Sequence, residues 1–219
     1  MLDTGYSEDF CLAPLITGKQ FAVGNNFISR LMEAGFLVMS MEYKISSGGS
    51  IFILLPKLHL ERSVLFFRDL HIKRSILPFI PKYELHVNTD FNLILNKCIE
   101  VHGVDWLTPP IVKILKRMNK TNIAGRKIMA VKPFSFSLYR DGELKAGEFG
   151  IAAGRVYTSY SGYYEESNAG TVQIILMVQW LEKNGFSFFD FGMPLDYKSD
   201  LGARNIDPRS FVELFRAAR

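Results

Sequence analysis

Apolar residues recur along the chain at helical and at alternating spacings, and the change from one to the other marks out its elements. Phe27, Ile28 and Leu31 give a short helical pattern within Asn25 to Gly35. Ser46-Ser47-Gly48-Gly49-Ser50 reads as a flexible turn, and Ile51 to Leu55 after it as a buried strand. Glu84-Leu85-His86-Val87 alternates and predicts a strand. Asp90 then stands as the N-cap of a helix carrying Phe91, Ile94, Leu95 and Cys98. Thr108 is a second cap, with Pro109 and Pro110 in the first turn, where a missing N–H does no harm. Ile111, Ile114, Leu115 and Met118 form its apolar stripe; Lys113, Lys116, Arg117 and Lys120 fall off it, so the helix is amphipathic and basic.

Phe134 to Tyr139, a turn at Asp141-Gly142 and Leu144 to Ala153 carry the strongest hairpin signal in the chain. Val156 to Tyr160 predicts a third strand. A helix follows from about Thr171 to Lys183, with Ile174, Met177, Val178 and Leu181 on one side and Asn184-Gly185 closing it. Phe186 to Phe191 reads as a strand, apolar apart from Ser187 and Asp190. Strands and helices mix without strict alternation, so the expected class is α+β. Pro56 and the charged Glu61-Arg62 break the pattern, which divides the chain into a small N-terminal domain (1–61) and a main domain (62–219).

Composition narrows the function classes. The chain has 219 residues, 48% hydrophobic and 22% charged, which excludes a disordered chain. The longest clean apolar runs, Ile51 to Leu55 and Ile174 to Val178, are far short of the roughly 20 residues a membrane helix needs. The first 25 residues lack a basic start and apolar stretch, and Asp3, Glu8 and Asp9 make them mildly acidic. Cys11 and Cys98 cannot build a disulfide framework. A cytoplasmic protein, not bound to a membrane and monomeric by default, is the expectation. Four isolated histidines (His59, His71, His86, His102) have no metal-ligand spacing, so no metal is expected. The net charge is only +4, yet Lys113 to Lys132 carries Lys113, Lys116, Arg117, Lys120, Arg126, Lys127 and Lys132 with no acid among them. Such a block implies a polyanionic partner or a solvated helix face.

Asp190 is the foremost candidate for chemistry. It interrupts a strand whose composition predicts burial, and a buried carboxylate is expensive unless paired or hydrogen-bonded. The alternative is a strand-end residue capping the Gly192 turn. Tyr157, Tyr160, Tyr163 and Tyr164 could stack bases or simply pack in strands and turns. Trp106, ahead of a capped helix, reads as core before ligand contact. The Ile174/Met177/Leu181 stripe is core by default, with one end able to line an apolar pocket. No GxSxG, GxxxxGK[ST] or GxGxxG is present, and no cofactor is expected.

The order of motifs from Arg62 onward resembles the leucyl/phenylalanyl-tRNA–protein transferases. The matching pieces are Arg62-Ser63-Val64-Leu65, Leu70-His71-Ile72-Lys73-Arg74-Ser75, Asp90-Phe91 and Asp105-Trp106-Leu107-Thr108. Gly142-Glu143-Leu144, Gly150-Ile151-Ala152-Ala153-Gly154, Asn168-Ala169, Phe189-Asp190, Leu201-Gly202-Ala203 and Arg209-Ser210-Phe211 follow in order, covering about 70% of the chain. The resemblance implies a small N-terminal domain and an acyltransferase domain of the N-acetyltransferase-like (GNAT) fold. The implied donor is an aminoacyl-tRNA carrying Leu, Phe or Met. The implied acceptor is the N-terminal amine of a protein beginning with Arg or Lys, so marked for degradation. An aminoacyl ester is already activated, so the enzyme must exclude water, orient the amine and remove a proton. By this resemblance Asp190 stands at the catalytic aspartate, Trp106 at the tryptophan near the donor, and Tyr157 at an aromatic position. Ile174, Met177, Leu181 and Phe189 stand where the family lines its apolar side-chain pocket.

Several positions depart from the family pattern. Its glutamine two residues after the aspartate is Gly192, its Gly-Glu-Ser-Met run is Ser159-Tyr160-Ser161-Gly162, and its lysine after Asn-Ala-Ser is Thr171. Its paired tryptophans before the domain junction correspond to Leu54-Leu55. Two other functions compete with the transferase. One is a non-catalytic RNA- or partner-binding module on the same fold, gripping tRNA through Lys113, Lys116, Arg117 and Lys120. The other is a coenzyme-A N-acyltransferase, ranked last because no [QR]xxGx[GA] loop precedes the Thr171 helix.

Overall fold

Two β-sheets, one behind the other in sequence, organise the protein. The structure, a computed structural model, describes residues 9–11, 15–17, 25–46, 49–123 and 131–219. Asp3 and Glu8 near the N-terminus, Ser47-Gly48 of the predicted turn, Arg126 and Lys127 of the basic run, and the Cys11 side chain lie outside the described residues.

The first sheet is antiparallel: β1 (Asp9–Cys11), β2 (Leu15–Thr17), β3 (Leu37–Lys44) and β4 (Ser50–His59), with β4 paired to the other three. Helix α1 (Asn25–Glu33) packs on it, near the predicted position. Pro56 does not end β4 as its sequence suggests. It pairs with Val38 of β3, and on its other side β2 reaches only Leu54 while β1 starts at Lys57. A residue without an N–H is tolerated in such an interval.

The chain leaves that sheet after His59 and enters the second at β5 (Arg62–Leu65). β6 (Glu84–Val87), α2 (Phe91–His102), α3 (Pro109–Ile123), β7 (Val131–Arg140), β8 (Glu143–Ala153), β9 (Val156–Tyr164), α4 (Ala169–Lys183), β10 (Phe188–Gly192), α5 (Asp196–Asp200), β11 (Arg204–Ile206) and α6 (Pro208–Ala218) follow. Seven strands line up in the order β11-β5-β10-β9-β8-β7-β6. Only β9 and β10, joined through α4, run parallel. The class is therefore α+β, a large mixed sheet with helices on both faces.

Local chemistry accounts for most elements. The β7–β8 turn places Asp141 at φ 54° and Gly142 at φ 78°, the pair of positive angles a tight hairpin demands. α4 ends where Gly185 N–H reaches Glu182 O and Phe186 N–H reaches Leu181 O, the glycine being left-handed at φ 77°. That cap takes Phe186 out of the predicted strand, so β10 begins at Phe188. Asp90 precedes α2 but makes no capping bond; its carboxylate accepts from Thr89 and Tyr139 hydroxyls. Thr108, ahead of α3, directs its hydroxyl to Ser40 of β3.

Alternation along β10 separates two cores. Phe188 faces a cluster with Val64, Val156, Phe211 and Phe215, under α1, α2 and α6. Phe189 and Phe191 face Leu65, Phe136, Tyr157 and the buried side of α4. The ring of Tyr157 crosses directly over Gly150, where an added Cβ would lie 2.6 Å from its ring carbon and hydroxyl and 2.2 Å from Thr158 O. Gly150→Ala therefore forces the β8–β9 ladder apart, an overpacking change worth about 1–3 kcal/mol, and urea unfolding will show a lowered midpoint at unchanged slope.

Candidate active site

The parallel strands β9 and β10 stay paired only as far as Thr158 and Asp190. β9 continues to Tyr164 beside β8, whereas β10 bulges against β5 after Asp190 and turns away at Gly192, φ 76°. The gap that opens between them is the natural place for a ligand in a sheet with parallel strands.

Asp190 sits at the fork, fully buried. Its Oδ1 accepts from Arg62 Nε at 2.7 Å and from Gly192 N–H at 3.0 Å. Its Oδ2 accepts from Arg62 Nη2 at 2.6 Å and from Thr158 Oγ1 at 2.8 Å. The carboxylate is paired in the interior and also fixes the glycine turn, as the capping reading expected. Arg62 is 1% exposed, and its guanidinium lies 4.4 Å from the Phe211 ring centroid. Sequence alone treats Arg62 as a boundary charge; nothing local announces a partner 128 residues away.

Two cavities border the fork. The first, about 390 Å³, lies between the small sheet and the ends of β9 and β10, bounded by Met39, Trp106, Tyr160, Gly192 and Lys198 among others. Trp106 and Tyr160 are neighbours on its wall, ring centroids 6.4 Å apart and tilted by 42°, and Tyr160 Oη accepts from Val38 N–H. Lys198 is 5% exposed and donates to Phe191 O at 2.8 Å and Met193 O at 2.7 Å. Burial lowers its pKa to about 8 despite the nearby carboxylates of Glu148 and Asp190.

The second cavity, about 540 Å³, is lined by Glu148, Ser159, Tyr164, Asn168, Gln173, Ile174 and neighbours. Ser159, Gly162 and Tyr197 border both cavities, so the two adjoin. Glu148 accepts from Tyr157 Oη at 3.2 Å and is hydrogen-bonded to Ser159. Burial pushes its pKa up to about 7, against the lowering by those two hydroxyls and Lys198. It interrupts the buried run of β8 just as Asp190 interrupts β10, a signal that sequence reading could have used.

The other expected site residues divide. Trp106 lines the first cavity and Ile174 the second. Met177, Leu181 and Phe189 are fully buried and border neither cavity. They pack with Tyr157, Phe136, Leu65 and Phe191, so this chain's own rings fill the space beside them. Tyr157 is likewise fully buried, its ring edge-on to Phe136 and Phe189. Of the four clustered tyrosines only Tyr164, 67% exposed, stands out in solvent. Lys113, Arg117 and Lys120 are exposed on α3, and half-buried Lys116 donates to Asn96.

The family model described as leucyl/phenylalanyl-tRNA protein transferase matches residues 64–216, from β5 to α6; the β9–β10 fork and the whole lining of the second cavity lie inside the match, whereas the first cavity also takes Leu37, Met39, Lys57 and His59 from the small sheet, which precedes it. The chain belongs to the leucyl/phenylalanyl-tRNA protein transferase family. It is a diverged member. The transferase of that name from Pseudomonas putida strain W619 is 29% identical over 157 residues, 69% of this chain and 66% of the relative. That of Maridesulfovibrio salexigens is 25% identical over 163 residues, 72% of this chain and 65% of the relative. The match thus spans about two thirds or slightly less of these relatives' length. Among solved structures, the C-terminal domain (DUF2156) of a lysylphosphatidylglycerol synthetase homologue from Agrobacterium fabrum is similar with TM-score 0.34, 11% identity, and coverage of 86% of this chain and 61% of that one. A conserved protein of unknown function from Bacteroides thetaiotaomicron gives TM-score 0.41 and 11% identity, covering 74% and 56%. No described helix is long and apolar enough to cross a membrane.

Two stability measurements probe the fork. Arg62→Met strands a buried carboxylate and should lower the unfolding free energy by about 3–5 kcal/mol, whereas Arg62→Met with Asp190→Leu recovers a large part of it, as a denaturation double-mutant cycle will show. Glu148 holds a proton in the folded state that the unfolded chain has released between its ordinary 4.5 and about 7. Wild-type stability must therefore fall as pH rises through that window, by on the order of 3 kcal/mol, and level off above it. Glu148→Gln should remove most of that slope in thermal unfolding at pH 4.5 to 8.

Proposed function

We propose that the protein is an aminoacyl-tRNA–protein transferase, moving Leu, Phe or Met from charged tRNA to the N-terminal amine of proteins that begin with Arg or Lys and so marking them for degradation. The observation that carries this reading is the family match over residues 64–216, which takes in the fork of β9 and β10, the second cavity and the main-domain wall of the first. The reaction requires positioning more than covalent chemistry. The amine nitrogen attacks the ester carbonyl carbon, a C–N bond forms, the C–O bond to the ribose breaks, and a proton passes from nitrogen to the departing oxygen. Two adjoining cavities suit two substrates meeting at Ser159 and Gly162.

In this reading Trp106 and Tyr160 offer ring faces to the donor's terminal nucleotide, and Lys198 supplies positive charge beside it. Asp190 acts as a positioning residue: its four donors occupy both oxygens, and it holds Thr158, Gly192 and Arg62 in the geometry that keeps the strands forked. Ile174 contacts the donor side chain, with Met177, Leu181, Phe189 and Tyr157 backing the wall. Lys113, Lys116, Arg117 and Lys120 hold the tRNA backbone on α3, the helix that starts three residues after Trp106. The division at 61/62, where the chain passes from one sheet to the other, marks the proposed domain boundary. The parallel β9–α4–β10 unit supports an N-acetyltransferase-like (GNAT) main domain; that it acts as a monomer in the cytoplasm is part of the same proposal.

One observation favours a second reading, a module that binds tRNA without transfer: the apolar positions Met177, Leu181 and Phe189 are packed shut by the protein's own rings. A transfer assay separates the two. The purified chain should move radiolabelled leucine from charged tRNA onto a peptide starting with Arg. Tight, salt-sensitive tRNA binding without product would overturn the transferase reading in favour of the second. Under either reading, Lys113→Ala with Lys120→Ala should weaken tRNA binding and flatten the slope of log affinity against log salt by about one per lysine.

A further inference from the structure

We propose that Glu148, and not Asp190, is the carboxylate that meets the attacking amine: it lines the second cavity, accepts that amine's proton and hands it on to the leaving hydroxyl. The inference rests on the transferase reading and adds a catalytic residue to it.

Asp190 is ill placed for that task. It borders neither cavity, it is sealed from solvent, and each oxygen already accepts two hydrogen bonds. A carboxylate so occupied has no lone pair turned toward a substrate. Glu148 differs in each respect. It lines the cavity of about 540 Å³ that the donor side chain enters at Ile174, so an amine attacking that donor's ester meets the carboxylate beside it. Only two hydroxyl partners are identified on it, those of Tyr157 and Ser159, which leaves acceptor capacity. Ser159 borders both cavities, so the carboxylate is one hydrogen bond from their junction. Gly162 opposes Glu148 across the β8–β9 ladder, and an added Cβ there would lie 3.4 Å from the glutamate's Cβ and Cγ. The absence of that side chain keeps the junction open above the carboxylate.

The surroundings suit proton exchange with an amine. The titratable groups that face Glu148 are Tyr157 from β9, Cys98 from α2, and Tyr197 and Lys198 from α5. Tyr157 and the Cys98 thiol are held protonated by burial, Tyr197 likewise with its pKa near 12, and Lys198 carries the one cationic charge of the set. A pKa of about 7 on Glu148 lies just below the roughly 7.7–8.0 of a free α-amine, so the pair can trade a proton near neutral pH without a large penalty either way. In the step itself the neutral amine nitrogen forms the C–N bond to the ester carbon. Its surplus proton moves to the Glu148 carboxylate, the C–O bond to the ribose breaks, and the same proton passes from Glu148 to the ribose oxygen, which leaves as a hydroxyl.

The test compares wild type, Glu148→Gln and Glu148→Asp, each first confirmed as folded by thermal unfolding. Leucine transfer to an Arg-starting peptide should fall by a factor of 10² or more in Glu148→Gln, and the rising limb of kcat/KM near pH 7 should give way to that of the substrate amine alone, at roughly 7.7–8.0. Glu148→Asp should restore part of the rate and the limb. Transfer by Glu148→Gln within twofold of wild type, with the limb unmoved, overturns the proposal and leaves the transferase reading standing. Calorimetric binding of the same peptide, free or N-acetylated, supplies the second arm. Binding should require the free amine and weaken at least tenfold in Glu148→Gln. That result with no transfer by wild type would sink the transferase reading while keeping Glu148 as an amine site; equal binding by wild type and Glu148→Gln would refute the amine site itself.

Discussion

A guanidinium and a carboxylate, both closed off from water, meet where β5 runs beside β10: Arg62 at the start of one strand and Asp190 near the end of the other. Taking two charges out of water costs several kcal/mol per ion, which only near-ideal geometry offsets. Here the geometry is bidentate, with Thr158 and the Gly192 amide filling the remaining lone pairs and Phe211 under the guanidinium. The arrangement ties three adjacent strands together at one point. Beyond that point β10 must turn and β9 must go on alone, so the cavities exist because the pair does.

Asp190, expected from the sequence either to carry the chemistry or to cap the Gly192 turn, stands behind the wall of both cavities. Two carboxylates approach the junction with opposite environments. Asp190 is saturated with donors, and Glu148 is left in a poorly solvated cavity with hydroxyl partners. Different surroundings give chemically similar groups different properties, and the proposed division of labour, one holding geometry and one exchanging protons, follows that difference. Lys198 fixes the end of β10 and the residue beyond it, donating to Phe191 O and Met193 O.

Much of this architecture was legible in the chain. Periodicity located the helices at α2, α3 and α4, the Asp-Gly turn set the β7–β8 hairpin, and an acid in an apolar strand singled out Asp190. What escaped were relations between distant segments. Arg62 looked like a break in the pattern because its partner lies on another strand, and Pro56 looked like a stop because the interval beside it belongs to two other strands. Met177, Leu181 and Phe189 could be core or pocket wall from their spacing alone, since periodicity tells which side of an element is buried and not against what. Glu148 was readable by the logic applied to Asp190, but its mixed-charge neighbourhood, Glu143 and Lys145, disguised a buried position as a solvated one.

The position of β5 has a consequence for how the molecule assembles. Both its neighbours, β10 and β11, come far later in the chain, and the Arg62–Asp190 contact spans 128 residues. While synthesis proceeds, a short strand bearing an unmatched positive charge waits with two bare edges until β10 and β11 have emerged. Closing so long a loop is entropically unfavourable until the whole cluster forms together, which makes docking of β5 a late, cooperative step.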